Sequence, residues 1–122
     1  MNYKESKEQL ESNSIILCGF QFRVSFDYIT HIKSAEDLGS VGCWGTFQAA
    51  KALITIHTDA AVHYQKVTLI HELCHLVDYL SNPSNIELKE EDYVTRMAFI
   101  IYEILVCKPI MDFIYCMEEE TV

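Results

Sequence analysis

Residues 62–80 read VHYQKVTLIHELCHLVDYL, and their apolar side chains recur with the spacing of an amphipathic helix. At about 100° per residue, six aliphatic side chains share one broad side that should pack on a sheet: Leu69, Ile70, Leu73, Leu76, Val77 and Leu80. Thr58 or Asp59 is a suitable N-cap, and Pro83 forbids continuation beyond Asn82. The pattern therefore predicts a helix from about Val62 to Leu80.

An HExxH pentapeptide, His71 to His75, lies on the polar side of this helix. Two histidines four residues apart project from one face, so both imidazoles can bind one zinc ion. Glu72 is turned by about 100° from His71, which places its carboxylate beside the metal, where a general base for bound water belongs. Asp78 can accept a hydrogen bond from the far ring nitrogen of a ligand histidine and fix its tautomer. The alternative is an accidental HExxH in a structural helix, since the motif fixes only three positions.

Two histidines leave zinc short of its usual three protein ligands. A second helix is predicted from Glu90 to Val106, with an apolar stripe made by Val94, Met97, Ala98, Ile101 and Leu105. On a helical projection with Val94 at 0°, Glu91 lies at about +60° and Glu90 at about −40°, so both carboxylates should face the buried side of the helix. Asp92 points away from that side. A buried carboxylate is costly without a cation nearby. We therefore expect Glu91 to be the third ligand, with Glu90 as the alternative. In the purely structural interpretation, the acidic residue binds no metal and only stabilises the N-terminus of the helix through the helix dipole.

Strand patterns precede the two helices. Residues 14–17 and 20–28 are rich in β-branched and aromatic side chains and flank Cys18-Gly19, which predicts a hairpin, and residues 52–57 predict another strand. We expect an α+β fold in which a small, strongly twisted, mostly antiparallel sheet is covered by the HExxH helix and the second, C-terminal helix, with the metal between them. Residues 1–122 should form one domain, with residues 1–12 as a short helix or flexible arm and residues 117–122 as an acidic tail.

Composition excludes several classes of protein. The net charge of −9, without a Lys/Arg cluster, repels phosphate backbones, so direct nucleic-acid binding is not expected. No apolar run is long enough to cross a membrane, and residues 1–12 lack the apolar core of a signal peptide, which predicts a cytoplasmic protein. The five cysteines are odd in number and form no CxxC pair, so reduced thiols are expected.

Two segments resemble the small ImmA/IrrE-like zinc metallopeptidases of bacterial genomes and their phages. Residues 68–79, TLIHELCHLVDY, resemble the family's zinc motif, and residues 90–102, EEDYVTRMAFIIY, are similar to its second helix, which contributes a glutamate ligand. The resemblance, which covers roughly residues 41–106, implies a gluzincin-type site with His71, His75 and Glu91 as zinc ligands and Glu72 as general base. Family members often carry a DNA-binding helix-turn-helix or sit beside a repressor that they cleave. With 122 residues and without a basic helix, this chain is not expected to carry that added domain.

The predicted function is zinc-dependent hydrolysis of a peptide bond in a specific protein substrate, such as a host or repressor protein. The strand at residues 53–56 would be an edge to which an extended substrate adds. An oxyanion stabiliser is also needed, and five residues are candidates: Tyr64, Tyr93, Tyr102, His57 and His63. One alternative is a catalytically silent metal-binding module of phage or prophage origin that acts by binding a host protein. Another is a structural domain without metal.

Overall fold

A computed structural model describes residues 1–29, 44–82 and 90–117. The helices among them are α1 (Tyr3–Ser12), α2 (Val62–Ser81), α3 (Glu90–Leu105) and α4 (Lys108–Tyr115), and the strands are β1 (Ile15–Leu17), β2 (Phe20–Asp27), β3 (Gly45–Gln48) and β4 (Leu53–His57). The predicted α+β class is confirmed. None of the described helices is long and apolar enough to span a bilayer. The predicted acidic tail lies outside the described residues after Met117.

The four strands form one sheet in the order β1-β2-β4-β3. The pairs β1–β2 and β3–β4 are antiparallel, as expected, but the central pair β2–β4 is parallel, so the sheet is mixed. The predicted hairpin is confirmed, because Cys18 and Gly19 both have positive φ and form the two-residue turn between β1 and β2. Strand β3 was not predicted, and it occupies the edge of the sheet. The prediction that residues 53–56 form an edge strand is therefore wrong, because β4 is paired on both sides.

The first residues of the chain form a packed helix. The side chain of Asn2 caps α1 by accepting a hydrogen bond from the backbone N–H of Glu5 at 2.8 Å. Leu10 is fully buried, and α1 packs against α4 and β2. Of the two alternatives for residues 1–12, the structure shows the short helix.

Helix α2 spans almost the predicted range, but its N-terminus is built differently. Ala61 is the N-cap and makes no side-chain cap, so the prediction of Thr58 or Asp59 is wrong. Asp59 instead donates its backbone N–H to Nδ1 of His57 at 3.1 Å, within the turn that follows β4. Near the start of α2, the side-chain amide of Gln65 donates a hydrogen bond to the carbonyl oxygen of Ala60 at 2.8 Å.

The hydrophobic core lies between the sheet and the helices. From α2, Leu69, Leu73 and Leu76 are buried against sheet residues that include Ile54 and Phe22. Burial of each such side chain contributes roughly 1.5–3 kcal/mol. Ile70, predicted on the same side, is 48 % exposed, so the core-facing side of α2 is narrower than the apolar pattern suggested.

Helix α3 is rotated relative to its predicted orientation. Its buried side chain is Ile100, whereas Val94, Ala98, Ile101 and Leu105 of the predicted stripe are exposed. The side chains that α3 turns toward α2 are Tyr93, Met97 and Ile104, which line an apolar cavity between the two helices. This rotation decides where the acidic residues of its first turn lie.

Candidate metal centre

Helix α2 brings three potential ligand side chains together, as the HExxH spacing predicts. The ligand atoms of His71, Glu72 and His75 all lie within 4.8 Å of one another. The two imidazole rings are 4.9 Å apart between centroids, because residues four apart on a helix stand one above the other. His75 is exposed, His71 is partly buried and Glu72 is buried. This group could hold a metal ion that remains accessible from one side.

The three side chains lie in the wall of an open cavity of about 630 Å³. Strand β3 also lines this cavity, through Gly45, Thr46 and Phe47. Asp78, Tyr79 and Asn82 complete the lining from the end of α2. A large, partly apolar opening beside clustered polar groups is the usual form of a ligand site.

Tyr79 and Asn82 were not recognised in the sequence as residues of the site. Tyr79 follows His75 by four residues, so helical spacing alone places it on the same side of α2. Its ring lies edge-on to Phe47 at 5.8 Å and to Phe20 at 5.9 Å between centroids. These aromatic contacts tie the end of α2 to the sheet beside the cavity.

The buried position of Glu72 sets its protonation behaviour. Burial raises the pKa of this carboxyl above its ordinary value, and the neighbouring His71 and His75 lower it to a smaller extent. Its Oε1 atom is 3.8 Å from Nε2 of His71. A carboxylate whose pKa is raised in this way is a stronger base than an ordinary glutamate.

Asp78 lies in the same cavity, and its carboxylate accepts a hydrogen bond from the hydroxyl of Tyr93 at 2.9 Å. That hydrogen bond raises the pKa of Tyr93. Tyr93 of α3 is thus one hydrogen-bond partner of Asp78, and the role of Asp78 beside a ligand histidine remains a prediction. The contact fixes the end of α2 to the start of α3.

Glu91 and Glu90, the predicted third ligand and its alternative, are both exposed in the first turn of α3. Neither belongs to the group that His71, Glu72 and His75 form among the described residues. The expectation that these carboxylates open onto the buried side is wrong, because both residues are exposed. The ligand role of Glu91 remains a prediction.

None of the five candidate oxyanion stabilisers is among the described residues that line the cavity. Tyr64 stacks on Trp44 with ring centroids 5.1 Å apart, and His57 is buried against Tyr28. Tyr102 is exposed on α3. The tyrosine that lines the cavity is Tyr79.

A comparison with protein-family models found no match to this chain, and no curated protein or solved structure matches it either. The resemblance to ImmA/IrrE-like metallopeptidases therefore rests on the two sequence segments alone.

Proposed function

We propose that the protein is a zinc-dependent metallopeptidase that hydrolyses a peptide bond in a specific protein substrate. The observation that carries this proposal is the grouping of His71, Glu72 and His75 in the wall of an open cavity. Two imidazoles and a nearby carboxylate are a donor set that suits zinc. The accessible His75 side of the group leaves room for a substrate carbonyl.

Each side chain has a distinct role in the proposed reaction. His71 and His75 would hold the zinc ion, with Glu91 as the expected third ligand and Glu90 as its alternative. A bound zinc ion supplies a water molecule of lowered pKa and polarises the substrate carbonyl. Glu72 would accept the proton of the attacking water and would transfer it to the leaving amine. Burial, which raises the pKa of Glu72, makes this carboxylate a stronger base and supports the first half of this transfer.

Strand β3 is the element that would bind the substrate. Within the described ranges β3 pairs on one side, with β4, and its residues 45–47 line the cavity that contains the histidines. An extended peptide can add to such an edge through backbone hydrogen bonds. Phe47 and Tyr79 offer apolar contacts to its side chains. A protein substrate with an extended segment is therefore preferred over a small molecule.

The first test measures zinc in the purified protein by elemental analysis. One zinc per chain is expected for the wild type, and His71→Ala should lose it. His63→Ala is the matched control, because His63 is an exposed histidine of α2 that lies about two turns before His71, so the variant should leave zinc content unchanged. A wild type without metal, or a His71→Ala variant with full zinc content, contradicts the proposal.

The second test compares Glu91→Gln with Glu90→Gln in a zinc titration. Loss of the third ligand should weaken zinc binding by at least about tenfold, since even the groups that orient ligands contribute that much. The expected result is a large effect for Glu91 and a small one for Glu90. The reverse order would assign the role to Glu90, and no effect in either would exclude both carboxylates.

A catalytically silent module that binds a host protein is the second candidate function. The exposure of Glu90 and Glu91 favours this binding module. Among the described residues, the candidate metal centre then consists of two histidines and the buried carboxylate of Glu72. Glu72→Gln distinguishes the two functions. In the peptidase it should abolish peptide hydrolysis with zinc content intact, whereas in the binding module it should leave the biological activity unchanged.

A further inference from the structure

Helix α3 carries a broad uncharged face that is open to solvent. At about 100° per residue, eight residues between positions 94 and 106 fall within one arc of roughly 160°. We call this set the α3 face: Val94, Thr95, Ala98, Phe99, Ile101, Tyr102, Leu105 and Val106. All eight are exposed, and the large side chains range from 42 % exposure for Ile101 to 65 % for Phe99. A contiguous apolar surface of this kind marks an interaction site.

The spacing within the α3 face identifies the kind of partner. Val94, Ala98, Ile101 and Leu105 follow one another at intervals of four, three and four residues, which is the pattern of a seam between two packed helices. These positions are symmetric about a point between Phe99 and Ile100. A two-fold axis at that point therefore superposes the seam on itself, as an interface between identical subunits requires.

We propose that the α3 face is the surface through which two copies of this chain associate, with the two α3 helices antiparallel. In that arrangement Val94 lies opposite Leu105 of the second copy, and Ala98 lies opposite Ile101 of the second copy. At the centre of the interface the small side chain of Ala98 thus faces the larger side chain of Ile101, which permits close packing of the two helices.

The shape of the surface fits this arrangement. A depression of about 370 Å³ lies on α3 and is lined by Val94, Thr95, Ala98, Phe99 and Tyr102. Ala98 is the smallest of these residues. The aliphatic side chains of Ile101 and Leu105 of the second copy would pass over this depression and fill it.

A neighbouring cavity extends the same apolar surface. The cavity between α2, α3 and α4 has a volume of about 480 Å³, and Ile101 and Leu105 of the α3 face belong to its lining. Ile70 and Tyr115, which also line it, are exposed as well. The interface can therefore spread from α3 over the mouth of this cavity, toward the area that stable association needs.

Charge favours the antiparallel orientation and a second copy over a basic partner. Glu90, Glu91 and Asp92 form the first turn of α3, so a parallel pair would bring six acidic residues together. An antiparallel pair separates the two acidic turns by the helix length, about 24 Å. No charged residue lies in the α3 face from Val94 to Val106, so nothing there selects a basic partner.

The first test measures the mass of the full chain in solution by sedimentation equilibrium. The wild type should be a dimer, and Ala98→Glu should raise its dissociation constant by about a hundredfold or more, because it buries an unpaired charge at the centre of the seam. Arg96→Glu adds the same side chain at an exposed position on the opposite side of α3 and should leave the dimer intact. Circular dichroism checks that both variants fold. A monomeric wild type, or an Ala98→Glu variant that dimerises normally, overturns the proposal.

A charge-exchange pair tests the antiparallel register. Val94→Lys and Leu105→Glu should each weaken the dimer, and the double variant should regain most of the affinity, since each lysine then faces a glutamate of the other copy. The two positions are about 16 Å apart along one helix, so the recovery cannot arise within a single chain. A double variant weaker than both single variants shows a parallel or different interface.

Salt dependence separates a second copy from a basic occupant. Each chain has a net charge of −9, so added salt screens the repulsion between two copies and should tighten the dimer. Association that weakens steadily with added salt contradicts the proposed uncharged seam. None of these measurements depends on metal binding or peptide hydrolysis.

Discussion

Gly45 of β3 lies so close to Thr68 of α2 that no side chain fits between them. A Cβ atom on Gly45 would lie 3.4 Å from Cγ of Glu72, 2.5 Å from Cγ2 of Thr68 and 2.9 Å from the carbonyl oxygen of Thr55. This close approach brings the edge strand and the buried carboxylate into the wall of one cavity. The absence of a side chain at position 45 is therefore a condition for the geometry of the candidate metal centre.

Gly45→Ala should destabilise the protein by about 1–3 kcal/mol, the usual cost of forcing a methyl group into a filled space. The strand must shift relative to both of its neighbours, because Cγ2 of Thr68 belongs to α2 and the carbonyl oxygen of Thr55 belongs to the backbone of β4, which cannot rotate aside. Glu72 should shift with it. Urea denaturation measures the loss of stability, and a zinc titration measures any change at His71 and His75.

Two further variants serve as controls for Gly45→Ala. Adding Thr68→Ser removes the nearest methyl group and should recover part of the lost stability, while the backbone contact keeps the recovery incomplete. Gly19→Ala is strained by its positive φ but meets no atom within 4 Å, so it should leave zinc binding unchanged. Wild-type stability in Gly45→Ala would show that β3 is not held against α2.

The sequence predicted the elements whose local signals agree with their packing. The range of α2 follows from one long apolar period, and the β1–β2 hairpin follows from alternating side chains around Cys18-Gly19. The grouping of His71, Glu72 and His75 follows from helical spacing alone. In each case the deciding interaction lies within one element or one turn.

The remaining features depend on contacts between elements. Strand β3 has four residues and too few alternating side chains to reveal itself. The rotation of α3 was mispredicted because apolar residues occur on both of its sides, and only packing on α2 selects the buried one. Helix α4 was not predicted; it begins at Lys108, with Pro109 in its first turn, where proline is common.

Leu69→Ala and Ile70→Ala should differ sharply, although both residues belong to the predicted core side of α2. Leu69 is fully buried, so its truncation should cost about 2–5 kcal/mol. Ile70 is 48 % exposed at the edge of an apolar cavity, and its truncation should cost less than about 1 kcal/mol. Chemical denaturation of the two variants measures both values. Equal losses would mean that Ile70 is buried as deeply as Leu69.

Cys18 should be an unreactive thiol despite its exposure. Its Sγ donates a hydrogen bond to Oε2 of Glu103 at 2.6 Å, and its backbone N–H donates to both carboxylate oxygens at 3.1 Å. Burial, together with Glu103, raises the pKa of the thiol to about 11. Since the thiolate is the reactive form, alkylation of Cys18 should be slow until the pH approaches that value.

Glu103→Gln removes the negative charge beside Cys18 and should shift its alkylation profile to lower pH. The shift should be partial, because burial is the largest cause of the raised pKa and remains in the variant. Mass spectrometry of iodoacetamide-treated protein gives the rate at Cys18, with the exposed Cys74 as an internal reference. An unchanged profile in Glu103→Gln would exclude the carboxylate as a cause.

Glu72→Gln should stabilise the metal-free protein at neutral pH. Burial raises the pKa of Glu72 above its ordinary value of 4.5, so the folded protein binds this proton more tightly than the unfolded chain does. The stability contributed by that proton is fully present below about pH 4.5 and is lost as the pH rises through the folded-state pKa. At pH 7 ionisation of Glu72 therefore stabilises the unfolded wild-type chain more than the folded protein, and a neutral glutamine removes this difference.

Urea denaturation in the presence of a chelator, repeated from acid to neutral pH, measures this difference. At pH 7 the free energy of unfolding of the variant should exceed that of the wild type by on the order of 1 kcal/mol. Replacement of a functional residue that destabilises the fold commonly has an effect of this size. The gain should vanish below about pH 4.5, where Glu72 is protonated in both states. All other titrating groups are common to the two proteins, so the pH-dependent part of the difference isolates this carboxyl. A wild type that is the more stable protein at pH 7 would mean that His71 and His75 stabilise the carboxylate by more than burial destabilises it.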